Sequence, residues 1–269
     1  MLEKINETIE YLKTRGFNNP DAGVVLGTGL SGFTAKMKNC IELNYREIPN
    51  FTAPTVEGHE GKLIYGDFGK KKIVAMNGRF HIYEGYGSGQ ITFPVRVLKY
   101  LGIKCLFLSN SAGAVNPDFQ IGDIMVVTDH INLLPNPLIG LNDDRIGPRF
   151  PDMGEAYDKL LVEKAVMIAE SNKIRIHKGV YLSTSGPTFE TPSEYRFFRI
   201  IGADAVGMST TQEVITARHM GLRCFAVSII TDLGVEGKIE YTTHESVQKE
   251  AARTEARMTT IMTGLISAL

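Results

Sequence analysis

The sequence predicts an α/β fold built on a mixed, mainly parallel sheet with helices on both faces. Short, continuous apolar runs, typical of strands buried on both faces, alternate along the chain with segments of helical periodicity. Three helical segments begin with a threonine followed three residues later by glutamate, the capping-box pattern, at Thr191, Thr210 and Thr242. The length of 269 residues suits one large α/β domain as well as two smaller ones.

The first half of the chain opens with an amphipathic helix, in which Leu2, Ile5, Ile9 and Leu12 recur at helical spacing. The elements that follow are a strand at 22–29, a hairpin of strands at 62–68 and 71–76, a helix at 90–101, and strands at 104–110 and 122–131. Residues 133–153 contain four prolines and little periodicity, which indicates a long loop, and such loops in compact domains are often functional.

The second half alternates more clearly between helices and strands. Its predicted elements are a helix at 155–171, a strand at 178–186, a helix from Thr191, a strand at 203–209, a helix from Thr210 to Gly221, a strand at 222–232 and a helix from Thr242. Because mainly parallel sheets bind ligands at the carboxyl ends of their strands, the residues that follow each strand are the candidates for a functional site.

Composition excludes several classes of partner and cofactor. With 29 Lys and Arg against 30 Asp and Glu, the chain lacks the basic excess of a general nucleic-acid binder, although a few cations can hold one small anion. No apolar run reaches the ~20 residues of a membrane span, and the N-terminus has no apolar signal-peptide core. The separated cysteines Cys40, Cys105 and Cys224 indicate free thiols in a reducing, cytoplasmic compartment. Without CxxC or HExxH patterns, we expect no metal site.

Residues 27–32 fit the pattern G-x-G-x-x-G at the end of the first strand. One interpretation is a dinucleotide-binding fingerprint, with Glu47 or a neighbour as the acid that binds the ribose. Against it, a helix precedes this strand and no clear second βα unit follows within about 30 residues. The other interpretation is a tight turn whose backbone N–H groups and Thr28 hydroxyl face a single phosphate.

A second group of polar residues follows the predicted hairpin. If the strand continues, Arg79, His81 and Tyr83 share one face, because residues i and i+2 point the same way. Arginine makes bidentate contacts to phosphate, so this group is a candidate phosphate clamp, the alternative being an exposed strand end. His59, in a flexible loop between glycines, is on its own more often structural than catalytic.

Later strands end in further candidates, each with a plainer alternative. The small residues at 109–117 let a ligand approach the backbone, or simply form a turn. Glu190 beside Phe189 suits a heteroaromatic base, which stacks on the ring and donates N–H bonds, or is an exposed loop residue. Ser209 lies at a helix N-terminus that binds anions, or merely caps it. Asp232 ends a fully apolar strand as a general-acid candidate, or as a turn residue.

Together these segments resemble the trimeric, low-molecular-mass purine nucleoside phosphorylases of the inosine/guanosine type. The resemblance rests on motifs in the family's order along nearly the whole chain. They are GTGL (27–30), VEGHEGKL (56–63), GRFHIYEGY (78–86), NSAGAVNP (110–117), GDIMVVTDHIN (122–132), RFPDM (149–153), GPTFETP (186–192), GADAVGMST (202–210) and SIITD (228–232), followed by His244. The resemblance implies a single domain over 1–269, a sheet with a distorted barrel flanked by helices, and a homotrimer with active sites near the subunit boundaries.

The resemblance also implies an enzyme of purine salvage that reversibly cleaves purine nucleosides with phosphate as co-substrate, using no cofactor. The implied phosphate site is Thr28, His59, Arg79, His81, the backbone N–H of Ser111, and Ser209. The implied ribose site is Tyr83, Met208, His244 at the 5′-hydroxyl, and Phe150 from a neighbouring subunit. The implied base site is Ala112, Gly113, Tyr181, Phe189, Glu190, Val206 and Asp232. The residues implied in catalysis are Asp232, Glu190, His81 and His244.

This chain departs from the family's pattern at three of these positions. Thr28 replaces a common serine and Ser111 a common alanine, which preserves the hydroxyl and the main-chain contact respectively. Asp232 stands where inosine- and guanosine-selective members have asparagine. An amide donates to purine N7 and complements a 6-oxo group, whereas an ionised carboxylate only accepts and a protonated one donates.

With Asp232 at this position, the predicted site combines features for 6-aminopurines and for 6-oxopurines. Aspartate here resembles the methylthioadenosine branch, whereas Glu190 matches 6-oxopurines and His244 matches a 5′-hydroxyl. We expect activity on inosine and guanosine with some on adenosine. The alternatives are a 5′-methylthioadenosine phosphorylase, a non-catalytic nucleoside-binding protein and, on residues 27–32 alone, a nicotinamide dehydrogenase.

Overall fold

The computed structural model describes residues 1–28, 30–53, 55 and 61–269, and it confirms the α/β prediction. The α-helices in these residues are α1 (Leu2–Thr14), α2 (Ser88–Leu101), α3 (Lys159–Ser171), α4 (Pro192–Ile200), α5 (Thr211–His219) and α6 (His244–Ser267). The strands are β1 (Ala22–Leu26), β2 (Lys38–Asn44), β3 (Lys62–Phe68), β4 (Lys71–Asn77), β5 (Cys105–Ala114), β6 (Ile124–Asn132), β7 (Ile176–Ser183), β8 (Ala205–Gly207) and β9 (Arg223–Leu233).

The described strands form one mixed sheet that closes on itself at one end. Its order is β2-β3-β4-β1-β5-β8-β7-β6-β9, and β5 also pairs with β9. Strands β5, β8, β7, β6 and β9 therefore close into the expected distorted barrel, and β2, β3, β4 and β1 extend from it as an open wing. The pairs β1–β4, β1–β5, β5–β9, β6–β7 and β7–β8 are parallel, and the pairs β2–β3, β3–β4, β5–β8 and β6–β9 are antiparallel.

The central strands are buried on both faces. In β1, Val25 belongs to one core with Leu12 of α1 and Leu98 of α2, whereas Val24 belongs to the other with Met258 and Ile261 of α6. Every residue of β1 is buried, which explains why the strand has no polar alternation. The two cores fix the strand ends relative to one another, and the functional candidates follow those ends.

Side-chain caps define where two helices begin. At α4 the predicted capping box is present: Thr191 Oγ1 accepts from the Glu194 N–H at 3.3 Å, and Glu194 Oε2 accepts from the Thr191 N–H at 2.7 Å. Helix α3 begins at Lys159, later than the predicted 155, because Asp158 Oδ1 accepts from the Leu161 N–H at 3.0 Å and caps the helix there.

The predicted cap at Thr242 is wrong by one residue. The cap is Thr243, whose Oγ1 accepts from the Ser246 N–H at 3.1 Å, so α6 begins at His244. Strand β1 ends at Leu26, before the predicted glycines, and β5 continues to Ala114 because it stays paired with β9. In the described part of the chain, no helix combines the length and apolar character of a membrane span.

Candidate active site

A cavity of about 230 Å³ lies at the carboxyl ends of β1, β4, β5 and β9, where the open wing meets the barrel. It brings together most of the residues singled out from the sequence. These are Thr28, Arg79, His81, Tyr83, Ser111, Ala112, Gly113, Phe189, Glu190, Val206, Met208, Ser209, Asp232 and His244. The strand ends thus collect residues that are far apart in the chain.

Two of the described site residues predicted from the sequence, Tyr181 and Phe150, are not among those that line the cavity. Tyr181 is fully buried behind Gly207, where a Cβ added to the glycine would collide with the tyrosine hydroxyl. Phe150, 88% exposed, lines a separate depression in the long loop. His59 lies outside the described residues.

The cavity also has lining residues that were not assigned from the sequence. They are Gly27, Asn110, Pro187, Gly207, Thr231 and Val247. Asn110 carried a signal that sequence reasoning could have used, because it places a large amide side chain, 2% exposed, within a buried strand.

Arg79 brings a buried guanidinium to the cavity wall just after β4. Its Nη1 donates to the Ser109 carbonyl at 2.7 Å and to Ser209 Oγ at 3.2 Å, and its Nε donates to Glu213 Oε1 at 3.3 Å. Its Nη2 is buried and has no hydrogen-bond partner among the described residues. The buried positive charge beside the Ser209 hydroxyl suits an anionic ligand in the cavity.

Ser209 is positioned by a strained turn. Thr210 has φ 72° and ψ −53°, which is unfavourable for a β-branched residue, and the Thr211 N–H donates to the Ser209 carbonyl at 2.8 Å. This is the rare γ-turn with positive φ. Asn110 Nδ2 donates to Thr210 Oγ1 at 2.9 Å, and the Thr210 N–H donates to Glu213 Oε2 at 2.8 Å. These contacts hold the strained backbone that presents Ser209 to the cavity.

The strain at Thr210 predicts an unusual order of stability. Thr210→Gly relieves the positive φ, whereas Thr210→Ala keeps it, and both remove the hydroxyl that Asn110 binds. We expect the glycine variant to be the more stable of the two by about 1 kcal/mol in urea unfolding. At Ser193, an exposed position inside α4, the same pair should show the opposite order. Equal stability of the two Thr210 variants would argue against strain.

His81 and Glu84 form an oriented pair at the cavity. His81 Nδ1 lies 3.0 Å from Glu84 Oε1, and Glu84 Oε2 accepts from the Thr55 N–H at 2.6 Å and the Thr55 hydroxyl at 2.8 Å. Burial raises the pKa of Glu84, but hydrogen bonds from His81 and Thr55 outweigh it and lower that pKa to about 2. Burial lowers the pKa of His81, against the opposing effect of Glu84. An ionised Glu84 therefore holds a neutral imidazole with Nδ1 as donor.

Two carboxyl groups and an aromatic ring line another part of the cavity. Burial, with the charge of Asp232 adding to it, raises the pKa of Glu190 to about 7. Burial also raises the pKa of Asp232, whose Oδ1 accepts from Thr231 Oγ1 at 2.9 Å. The Tyr195 hydroxyl interacts with both carboxyl groups and lowers the pKa of each, a link that was not predicted. Phe189 lies beside them, 40% exposed, as a stacking surface.

The arrangement combines two chemistries in one cavity. One part offers a cationic donor, hydroxyls and an imidazole to an anion, and the other offers titratable carboxyls and a ring to a heteroaromatic group. His244, the exposed first residue of α6, lies at the rim with Nε2 3.0 Å from Gln248 Nε2. Within the described ranges, no group of three or more His, Cys, Asp or Glu side chains is arranged to hold a metal ion.

Known proteins resemble this chain along almost its whole length. Residues 21–267 match a family model described as the phosphorylase superfamily. Purine nucleoside phosphorylase 1 of Geobacillus stearothermophilus is 44% identical over 253 residues, 94% of this chain and 92% of that protein. Purine nucleoside phosphorylase 1 of Bacillus subtilis is 42% identical over 268 residues, 99% of each.

Solved structures of Schistosoma mansoni purine nucleoside phosphorylase have the same fold. The complex with adenosine matches with a TM-score of 0.94 at 38% identity, covering 99% of this chain and 97% of that one. A schistosome complex with hypoxanthine matches with a TM-score of 0.94 at 37% identity, with the same coverage.

Proposed function

The chain belongs to the phosphorylase superfamily, and we propose that it catalyses the reversible phosphorolysis of purine nucleosides to free purine and pentose 1-phosphate. The family resemblance expected from the motifs is thereby confirmed. The observation that carries the proposal is the buried guanidinium of Arg79, which binds Ser209 Oγ and shares a cavity with the Glu190–Asp232 pair. This reaction requires a cationic group that binds phosphate and polar groups that hydrogen-bond to the base.

The proposed mechanism assigns the anion to Arg79 and the base to the carboxyl pair. A phosphate oxygen held by Arg79 and Ser209 attacks C1′ as the bond from C1′ to purine N9 breaks, through an oxocarbenium-like sugar. Negative charge passes to the purine, and the proposed mechanism assigns the proton for N7 to Asp232, because its raised pKa favours the acid form. In this mechanism phosphate and side chains stabilise the charges that develop on the sugar and the purine. We therefore expect EDTA to leave the rate unchanged.

A substrate panel tests the proposal. We expect inosine, guanosine and adenosine to release free base only when phosphate is present, and pentose 1-phosphate to form in equal amount. A strong preference for 5′-methylthioadenosine would favour the alternative phosphorylase, and no release of base from any nucleoside would favour a nucleoside-binding protein.

The raised pKa of Glu190 predicts that pH selects the base. Inosine presents N1–H, which an ionised Glu190 accepts, whereas adenosine presents an N1 lone pair, to which a protonated Glu190 donates. The ratio of kcat/KM for inosine to that for adenosine should rise about tenfold between about pH 6 and pH 8, centred near the pKa of about 7. Titration of phosphate and of His81 changes kcat/KM for both nucleosides equally, so it cancels in the ratio. Glu190→Gln should flatten the ratio, and a flat ratio in the unmodified protein would contradict the assignment.

We propose a homotrimer in which Phe150 of one subunit completes the ribose side of a neighbour's cavity. In the isolated chain Phe150 is 88% exposed. Ile139 and Leu141 of the same loop are also exposed to solvent, as expected for residues of a subunit interface. Sedimentation should give the mass of three chains, and Phe150→Ala should raise KM for nucleoside about fivefold without changing KM for phosphate. Phe197→Ala, an exposed aromatic on α4, is the control. A catalytically unaffected Phe150→Ala would refute the assignment.

The proposed location is the cytoplasm. All three cysteines are free, and Cys105 and Cys224 are buried as unoxidised thiols. Cell fractionation tests this, and recovery in an oxidising compartment would contradict it.

A further inference from the structure

Glu255, in the middle of α6, contacts the backbone that follows the glycine-rich turn. Its Oε1 accepts from the Phe33 N–H at 3.1 Å. A Cβ added to Gly32 would lie 2.5 Å from Glu255 Oε2, so the carboxylate lies directly on this backbone. Burial raises the pKa of Glu255, while the N–H groups of Phe33 and Gly32 lower it, as expected for a half-buried acceptor of two backbone donors.

This contact joins two walls of the cavity. The backbone held by Glu255, at Gly32 and Phe33, lies four and five residues after Thr28, a lining residue, and α6 begins with His244, another lining residue. Leu30 and Phe33 pack in the same core cluster as Met258 of α6, so apolar contacts fix the side chains while Glu255 satisfies the N–H groups. The three heavy atoms nearest the Cβ position at Gly32 all belong to the Glu255 carboxyl group.

We propose that Glu255 is a positioning residue for the phosphate site. It fixes the backbone at Gly32 and Phe33, and through this anchor it positions Thr28 for the anion held by Arg79. The inference rests on the proposed function, because the ligand of this turn is the phosphate of that reaction. Glu255 does not itself touch substrate.

Kinetic constants separate positioning from general structural support. We expect Glu255→Ala to raise KM for phosphate about tenfold and to leave KM for inosine within about twofold, since a small misplacement weakens one ligand site selectively. Glu250→Gln, which alters a solvent-facing ion pair of the same helix, should change neither constant. Equal changes in both KM values, or no change in KM for phosphate, would overturn the proposal.

A second variant guards against simple loss of folding. Gly32→Ala places a methyl group against the Glu255 carboxylate and should by itself raise KM for phosphate several-fold. In the Glu255→Ala background the collision is gone, so Gly32→Ala should add no further increase. If the two substitutions raised KM for phosphate independently, so that the increase in the double variant were the product of the two single increases, a shared contact would be refuted.

A binding measurement distinguishes failure of this inference from failure of the proposed function. Phosphate should raise the Tm of the unmodified protein, and Glu255→Ala should reduce that shift at each phosphate concentration. If the protein binds phosphate but releases no base, the proposed function fails while the Glu255 inference is still tested. An unchanged shift in Glu255→Ala would overturn the inference alone.

Discussion

Arg79→Met should lower kcat/KM for phosphate by about 10³-fold or more, since the loss of a preorganised charged donor removes several kcal/mol of transition-state stabilisation. Arg79 is 1% exposed, and its guanidinium binds Ser209 Oγ, another residue of the cavity wall, at 3.2 Å. Initial rates at varied phosphate, with inosine saturating, measure the effect.

Loss of folding must be separated from loss of phosphate binding in this variant. Arg79→Met leaves the Glu213 carboxylate buried without its cation, which should destabilise the protein by about 3–5 kcal/mol. Adding Glu213→Gln removes that charge and should recover part of the stability while activity stays low. Arg96 is a matched control, a buried arginine that does not line the cavity, and Arg96→Met should change kcat/KM less than about threefold. A folded Arg79→Met variant with unchanged KM for phosphate would refute the site.

The sequence predicted the sheet and much of the cavity because both depend on local patterns. A strand buried on both faces has a continuous apolar sequence, and a parallel sheet brings strand ends to one edge. Arg79 and Asp232 therefore lie in one cavity although they are distant in the chain. The capping box at Thr191 was predictable for the same reason, since its hydrogen bonds span three residues.

Other features depend on contacts that no local pattern encodes. Thr210 fits the capping-box pattern, yet its hydroxyl is bound by Asn110 and its φ is positive, so the pattern identified the helix start and missed the strain. The capping-box pattern favours Thr242, which Glu245 follows three residues later, yet the structure caps α6 with Thr243, whose Oγ1 accepts from the Ser246 N–H. Tyr195 reaches both carboxyl groups from a helix whose sequence gives no sign of a binding role.

Asp232→Asn should lower the ratio of kcat/KM for adenosine to that for inosine by about 10- to 100-fold, the effect of one or two hydrogen bonds to a buried partner. The carboxyl of Asp232 accepts from Thr231 and has a raised pKa, which favours the acid form. In that form the proposed mechanism uses its O–H for N7 and its other oxygen as an acceptor for the 6-amino group of adenine. An amide donates to N7 and to a 6-oxo group, but its N–H opposes a 6-amino group when its oxygen is turned away.

Comparison with a second variant shows whether Asp232 selects the base by hydrogen bonding or only through its negative charge. If Asp232 acted only through its charge, neutralising the exposed carboxylate Glu236 nearby in the chain should shift the ratio in the same direction. We expect Glu236→Gln to leave the ratio within about twofold, because solvent screens an exposed charge. We also expect Asp232→Asn to retain or increase inosine cleavage, since an amide is a permanent donor to N7. An unchanged ratio in Asp232→Asn would mean that this residue does not select the base. Base selectivity would then be assigned to Glu190.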